Sequence, residues 1–335
     1  MTQRFLKLVL AATLVIGLLG PGAAAATYDY GKYKIGGGGS GEDGFFILLE
    51  PMLVNPRNTD AAVATAVTSG GAPALYFSLI PDWDGDFAGR LTAGYSWGGG
   101  KKMYASVWTS TSEQKASGIP PIGTDFFITI GPPLPVGDGS LSSYTFATEI
   151  TASLADIGFA KTQEMGDGFE MEWAVSLRYA NFEETMDGVY AGVQGYVSPI
   201  VALKRNEGEM IGGRVGVRGR YFMTDSLSAT ASLGMTVLDG ELTAVSSLTQ
   251  SGLTTPESFS SLTDDSRSGT IRDFDAALTW HSPSDAFRLS LGWEQQNWDG
   301  IAKDMMRFFP GGGAVLRERD SVAFSAYKLG MFFQF

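Results

Sequence analysis

Residues Tyr327-Lys328-Leu329-Gly330-Met331-Phe332-Phe333-Gln334-Phe335 close the chain, and their order decides its fold class. Counting back from the terminus, every second side chain is large and apolar: Phe335, Phe333, Met331, Leu329 and Tyr327. Gln334, Gly330 and Lys328 fill the other phase, with Phe332 as the exception. A two-residue period puts the two sets on opposite faces of a β-strand.

The same period recurs upstream. In 86–97, Phe87, Leu91, Ala93, Tyr95 and Trp97 oppose Asp86, Arg90, Thr92 and Ser96. In 168–182, Phe169, Met171, Trp173, Val175, Leu177 and Tyr179 oppose Glu170, Glu172, Ser176 and Arg178. In 210–222, Ile211, Val215, Val217 and Tyr221 oppose Arg214, Arg218 and Arg220. Segments 226–237 and 286–296 alternate as cleanly, whereas 45–54, 102–112, 145–158 and 270–281 do so more loosely. The apolar faces run about 10 residues, the length that crosses a bilayer at a tilt. Aromatics gather near their ends, where an interfacial girdle sits. Strands in lipid leave no backbone group unpaired only when the sheet closes on itself. The expected fold is all-β, an antiparallel transmembrane β-barrel.

Connection lengths set the strand number. Gly98-Gly99-Gly100-Lys101, Thr224-Asp225 and Ser282-Pro283-Ser284-Asp285 are short turns, and 160–167 is a medium one. Long links are expected over 55–85, 113–144, 183–207, 240–268 and 299–319. Ten strands make long and short links alternate, with both termini on the short-turn side. Counting 74–81 and 188–202 as spanning strands gives twelve, the alternative, which forces 113–144 onto the short-turn side.

The other end carries an address. Arg4 and Lys7 precede an apolar run, Leu8–Leu19, that ends at Gly20-Pro21-Gly22 and Ala24-Ala25-Ala26. This is the pattern of a secretory signal peptide, so the expected organisation is a leader over 1–26, a flexible periplasmic segment over 27–43 and a barrel over 44–335. No later segment approaches about 18 uninterrupted apolar residues, which excludes helical spans. The chain has no cysteine, and hence no disulfide or thiol metal site. Its formal net charge of -12, with no basic cluster, argues against nucleic-acid binding.

With that pattern in place, the terminal strand resembles the closing strand of an outer-membrane barrel. In such barrels, Tyr327, Leu329, Met331, Phe333 and Phe335 would correspond to the segment read by the assembly machinery. Trp83–Tyr95, Leu177-Arg178-Tyr179-Ala180 and Gly212–Gly219 resemble the pore-forming major outer-membrane protein family of Gram-negative bacteria. The resemblance implies a porin-like channel passing small solutes or ions, seated in outer-membrane lipid. The rival expectation is a structural or surface-interaction barrel with a plugged lumen; a third is a rim-active hydrolase.

The inward phase supplies the candidate lumen residues: Arg90, Glu149, Glu170, Glu172, Arg178, Arg214, Arg218, Arg220, Arg288 and Lys328, joined by Asp273, Asp275 and Glu294. They are expected either to select ions by sign at a constriction or to pair and fill a narrow barrel. His281 is the only histidine. It falls at the short-turn end, beside Ser282 and Ser284, and adjacent strand residues point to opposite faces, so no catalytic group is assigned. The apolar stretch 118–136 is expected to pack within its own chain, on neighbouring loops or in the barrel mouth, with binding of a hydrophobic solute, or contact to another protomer and so a homo-oligomer, as alternatives. Asp84 with Asp86, and Asp264-Asp265, are oxygen pairs of the kind hard cations use. Paired loop carboxylates are ordinarily just solvated, and no metal or cofactor is assigned.

Overall fold

The computed structural model describes residues 43–57, 64–68, 76–79, 85–119, 124–128, 143–166, 168–191, 199–251, 256–301, 307–308, 314–315 and 321–335. The expected leader and periplasmic segment (1–42), most of 118–136, and Asp84 lie outside them. Ten strands form the wall: β1 (Gly44–Arg57), β2 (Asp86–Trp97), β3 (Lys101–Gly118), β4 (Ser143–Gly166), β5 (Phe169–Ala191), β6 (Ile200–Thr224), β7 (Leu227–Ser251), β8 (Pro256–His281), β9 (Phe287–Asp299) and β10 (Ser321–Gln334). Each pairs antiparallel with its chain neighbours, and β1 pairs with β10 to close the barrel. The closing seam runs from Arg57↔Ala323 down to Phe46↔Gln334, and the Phe335 amide donates to the Phe45 carbonyl at 2.8 Å.

Short turns join β2–β3, β4–β5, β6–β7 and β8–β9 at one end of the barrel. Gly99 and Gly100 take φ of 79° and 70° in the first of them, a region that L side chains rarely enter. The ten-strand expectation therefore holds and the twelve-strand alternative does not. Tyr76–Leu79 instead belongs to a separate three-stranded sheet with Ala64–Thr68 and Thr124–Ile128, so part of the apolar 118–136 stretch pairs with another loop.

The long links expected over 183–207 and 240–268 are mostly strand. β4 to β8 run 24, 23, 25, 25 and 26 residues, on the order of 60 Å along the axis at a tilt of about 40°. A bilayer needs less than half of that. The residues explain the excess. In the turn-side half the outer face is apolar: Trp173, Val175 and Leu177 on β5, Val215 and Ile211 on β6, and Leu233, Met235 and Val237 on β7 are all exposed. Further along the same strands the outer face becomes mainly polar, with Glu183, Arg205, Glu209, Asp239 and Glu241 beside the exposed Val189 and Val201. The inner face changes the other way, to a mostly apolar set of Phe182, Met186, Met210, Leu238, Leu242 and Ala244, buried together with the polar Glu184, Lys204 and Asn206. The two-residue period persists while its polarity inverts, as in a sheet that leaves lipid and enters water.

Candidate functional site: the filled lumen

Two layers occupy the lumen. The turn-side layer is ionic. On β10, Lys328 reaches Glu50 of β1 at 2.9 Å, Glu294 of β9 at 3.5 Å, and Asp275 of β8. Arg90 of β2 grips Glu294 through two hydrogen bonds of 2.8 and 2.5 Å, and Glu50 at 3.3 Å. Arg90 and Glu294 are separated around the wall by β1 and β10, so this bridge spans the lumen. On the far side Arg178 makes a bidentate pair with Asp156 at 2.8 and 2.9 Å and donates to the Thr236 hydroxyl at 3.1 Å. Arg214 clasps Asp273 at 3.1 and 2.5 Å. Nearer the turns, Glu172 takes Lys102 at 2.7 Å and Arg218 at 3.4 Å, and Glu170 takes Arg220 at 3.2 Å. The cavity among Thr162, Glu170, Glu172, Arg218 and Arg220 is about 10 Å³, which admits no more than a single water.

The second layer is apolar and lies on the loop side of the first. Trp108 of β3 meets Trp298 of β9 with centroids 6.1 Å apart and Phe324 of β10 at 5.6 Å, and Trp298 meets Phe324 at 5.5 Å. β2, β1 and β10 separate β3 from β9 around the wall, so these rings touch across the lumen. Their exposures are 2, 0 and 2%. Met52, Val54, Ile150, Leu154, Phe182, Leu238 and Ile271 pack around them as one core. The two layers are tied by Trp298, whose indole donates to Gln296, which donates to Glu294.

Of the residues expected in the lumen, Arg90, Glu170, Glu172, Arg178, Arg214, Arg218, Arg220, Lys328, Asp273, Asp275 and Glu294 are brought together there in ion pairs. Arg288 stands at the turn-side mouth, bound to Asp285 and lying over Phe332 at 4.6 Å. Glu149 is a correction: it is exposed on the outer face of β4. Its strand has already left the apolar band at that height, where outward acids are solvated, and the loose alternation of 145–158 hid the phase. Glu50, Lys102 and Asp156 are lumen residues that sequence reasoning missed. Glu50 had one signal, as the lone acid inside the apolar run Phe45–Val54. In the terminal strand Tyr327 and Leu329 are exposed on the outer face, in phase with Met331 and Phe333, and Phe335 is exposed just past its end.

His281 has partners that sequence reasoning did not find. Its Nε2 lies 2.8 Å from the Ser228 hydroxyl of β7, and its Nδ1 lies 2.8 Å from an Asp285 oxygen. With the proton on Nδ1, the ring donates to Asp285 and accepts from Ser228, the hydrogen-bond order of a hydrolase triad. The serine and the imidazole are enclosed. Ser228 is 0% exposed, Phe222 packs on the imidazole, and Arg288 claims both oxygens of Asp285. Asp285 sits at φ 55° in the β8–β9 turn, which aims its carboxylate back at the ring. Burial would raise the Asp285 pKa, but the His281 hydrogen bond and the Arg288 guanidinium outweigh it and hold the carboxyl below the ordinary range. The trio braces the turn against β7. No group of metal-ligating side chains occurs among the described residues.

No family model matches this chain, and no curated protein does. Solved barrels resemble it in outline. The outer membrane protease OmpT of Escherichia coli matches with TM-score 0.47 and 8% identity over 87% of this chain and 97% of that one. A major outer membrane protein of Thermus thermophilus matches with TM-score 0.32 and 12% identity, over 88% of this chain and 99% of that one. The Pseudomonas putida toluene transporter TodX gives 0.29 and 8%, over 88 and 90%. At such similarity none of them bears on what this barrel does.

Proposed function

We propose that the chain is an outer-membrane β-barrel that is closed in this state, a structural barrel that carries a tall polar collar beyond the membrane. The observation that carries this reading is the contact of Trp108 with Trp298 and Phe324 across the lumen, above a layer of ion pairs. Apolar rings in contact leave no aqueous path, and buried charges that are paired have no spare valence for a passing ion. Outer-membrane lipid around the apolar band and an assembly machinery reading Tyr327 to Phe335 complete the picture. Solute passage, and with it membership of the pore-forming major outer-membrane protein family, is favoured by one observation: the Arg218 side chain remains 42% exposed, so the turn-side mouth is wet to that level.

Planar-bilayer conductance separates the two readings. The wild-type barrel, with heat-modifiable mobility as proof of folding, is expected to be silent. Stepwise wild-type conductance, with reversal potentials moved by Arg218→Glu, would establish the channel and overturn closure. Fractionation of cells carrying the full chain tests the membrane assignment.

A further inference from the structure

The outer wall carries a groove at the height where its apolar band ends. A cavity of about 290 Å³ opens there across the closing seam, lined by Leu53, Asn55, Gly85, Trp293, Gln295, Ala323, Ser325 and Tyr327. The register sorts these residues into two rows. Leu53↔Tyr327↔Trp293 is the lower, and it continues the apolar band. Asn55↔Ser325↔Gln295 is the upper, and it is polar without charge. Small residues, Gly85 and Ala323, make the hollow between larger neighbours.

The polar row has hydrogen-bonding capacity to spare. Trp293 donates its indole N–H to Ser325 at 3.0 Å, which leaves the serine proton free to donate among the described contacts. Gln295 donates to Asn297 at 3.1 Å, which leaves its carbonyl oxygen free to accept among the described contacts. The indole itself is held in place by Phe274, 5.7 Å away between ring centroids.

We propose that this groove seats one outer-leaflet glycolipid at the junction of its sugar and acyl chains. The lower row would take the first methylenes of a chain, and Trp293 offers the flat apolar face on which a sugar ring rests. The upper row would exchange hydrogen bonds with amide and hydroxyl groups. A phosphate-dominated headgroup calls for Arg or Lys, and neither is found among the described residues that line the groove. The inference rests on the outer-membrane seating proposed above, with the polar collar outside.

Native mass spectrometry of the delipidated full chain in detergent tests it, with two probes. One is a phosphate-free glucosamine glycolipid with amide-linked hydroxyacyl chains, and the other is phosphatidylglycerol. The barrel is expected to retain one glycolipid and to prefer it. Gln295→Leu with Ser325→Leu should weaken retention about tenfold, the worth of one or two hydrogen bonds. Ala323→Phe, which fills the hollow and touches no polar group, should do the same. Equal retention of both probes, or unchanged glycolipid retention in both folded variants, overturns the groove. Heat-modifiable mobility shows whether the barrel survives each change. Because the titration is done in detergent, its failure leaves the membrane assignment to stand or fall on fractionation.

Discussion

The turn-side half of this barrel and its loop-side half are built from the same strands with opposite polarity. In the first, Leu233 and Val215 face out while Arg214 and Arg178 face in. In the second, Glu241 and Arg205 face out while Leu242 and Met210 face in. Lipid outside makes an apolar outer face the cheap one and leaves charge to fill the lumen as pairs. Water outside restores the ordinary arrangement of a soluble sheet. One fold thus holds two kinds of core, ionic and hydrophobic, and substitutions should separate them.

Lys328→Met should be the most damaging change. It strips the cation from Glu50, Asp275 and Glu294, and unpaired buried charge costs about 4 kcal/mol, to be read from urea titration of heat-modifiable mobility. Trp108→Ala strikes the hydrophobic core at a side chain 2% exposed. It should cost about 3 kcal/mol through transfer and cavity terms, measured in the same way. Leu233→Arg places a cation on the lipid face and should cost about 2 kcal/mol, whereas Glu241→Arg on the collar should cost almost nothing. If the two arginine variants behave alike, the polarity inversion does not mark the membrane boundary.

Asp285→Asn should cost about 1 kcal/mol, because the carboxylate is half exposed and its pairs are screened. Its folded pKa is depressed, so its contribution is present above the unfolded carboxylate pKa of about 3.9 and is lost as pH falls through the lower folded value. The stability gap between variant and wild type should therefore persist from neutral pH to about 4 and close in stronger acid. Arg205→Ala comes last. Its pairs with Glu183 at 2.7 Å and Glu207 at 2.5 Å are solvent-exposed, and the loss should stay below about 0.5 kcal/mol.

The turn-side half was legible because its outer face is apolar over the full period, as in Leu227 to Val237. The collar was not, and 183–207 looked like loop. There the outer phase holds Glu183 and Arg205 while the inner phase mixes Met186 with Glu184 and Lys204. A rule that equates an exposed face with polarity in soluble sheets, or with lipophilicity in barrels, fails on a strand that does both. Glu149 was misplaced for the same reason. Glu172 with Arg218 and Glu170 with Arg220 could be paired from adjacent strands. Pairs across the lumen, such as Arg90 with Glu294, could not, because register along the wall does not say which far-side residues meet. Ser228 carried no signal at all, since a serine in an alternating strand is an ordinary inward residue.

Lys328 ties the ionic core to the closing seam. The carboxylates of Glu50, Asp275 and Glu294 come from three different strands, and of the three only Glu50 and Glu294 also pair with Arg90. β10 carries that ammonium group and also pairs with β1 to close the seam. Closure of the wall and neutralisation of the lumen acids thus depend on the same strand.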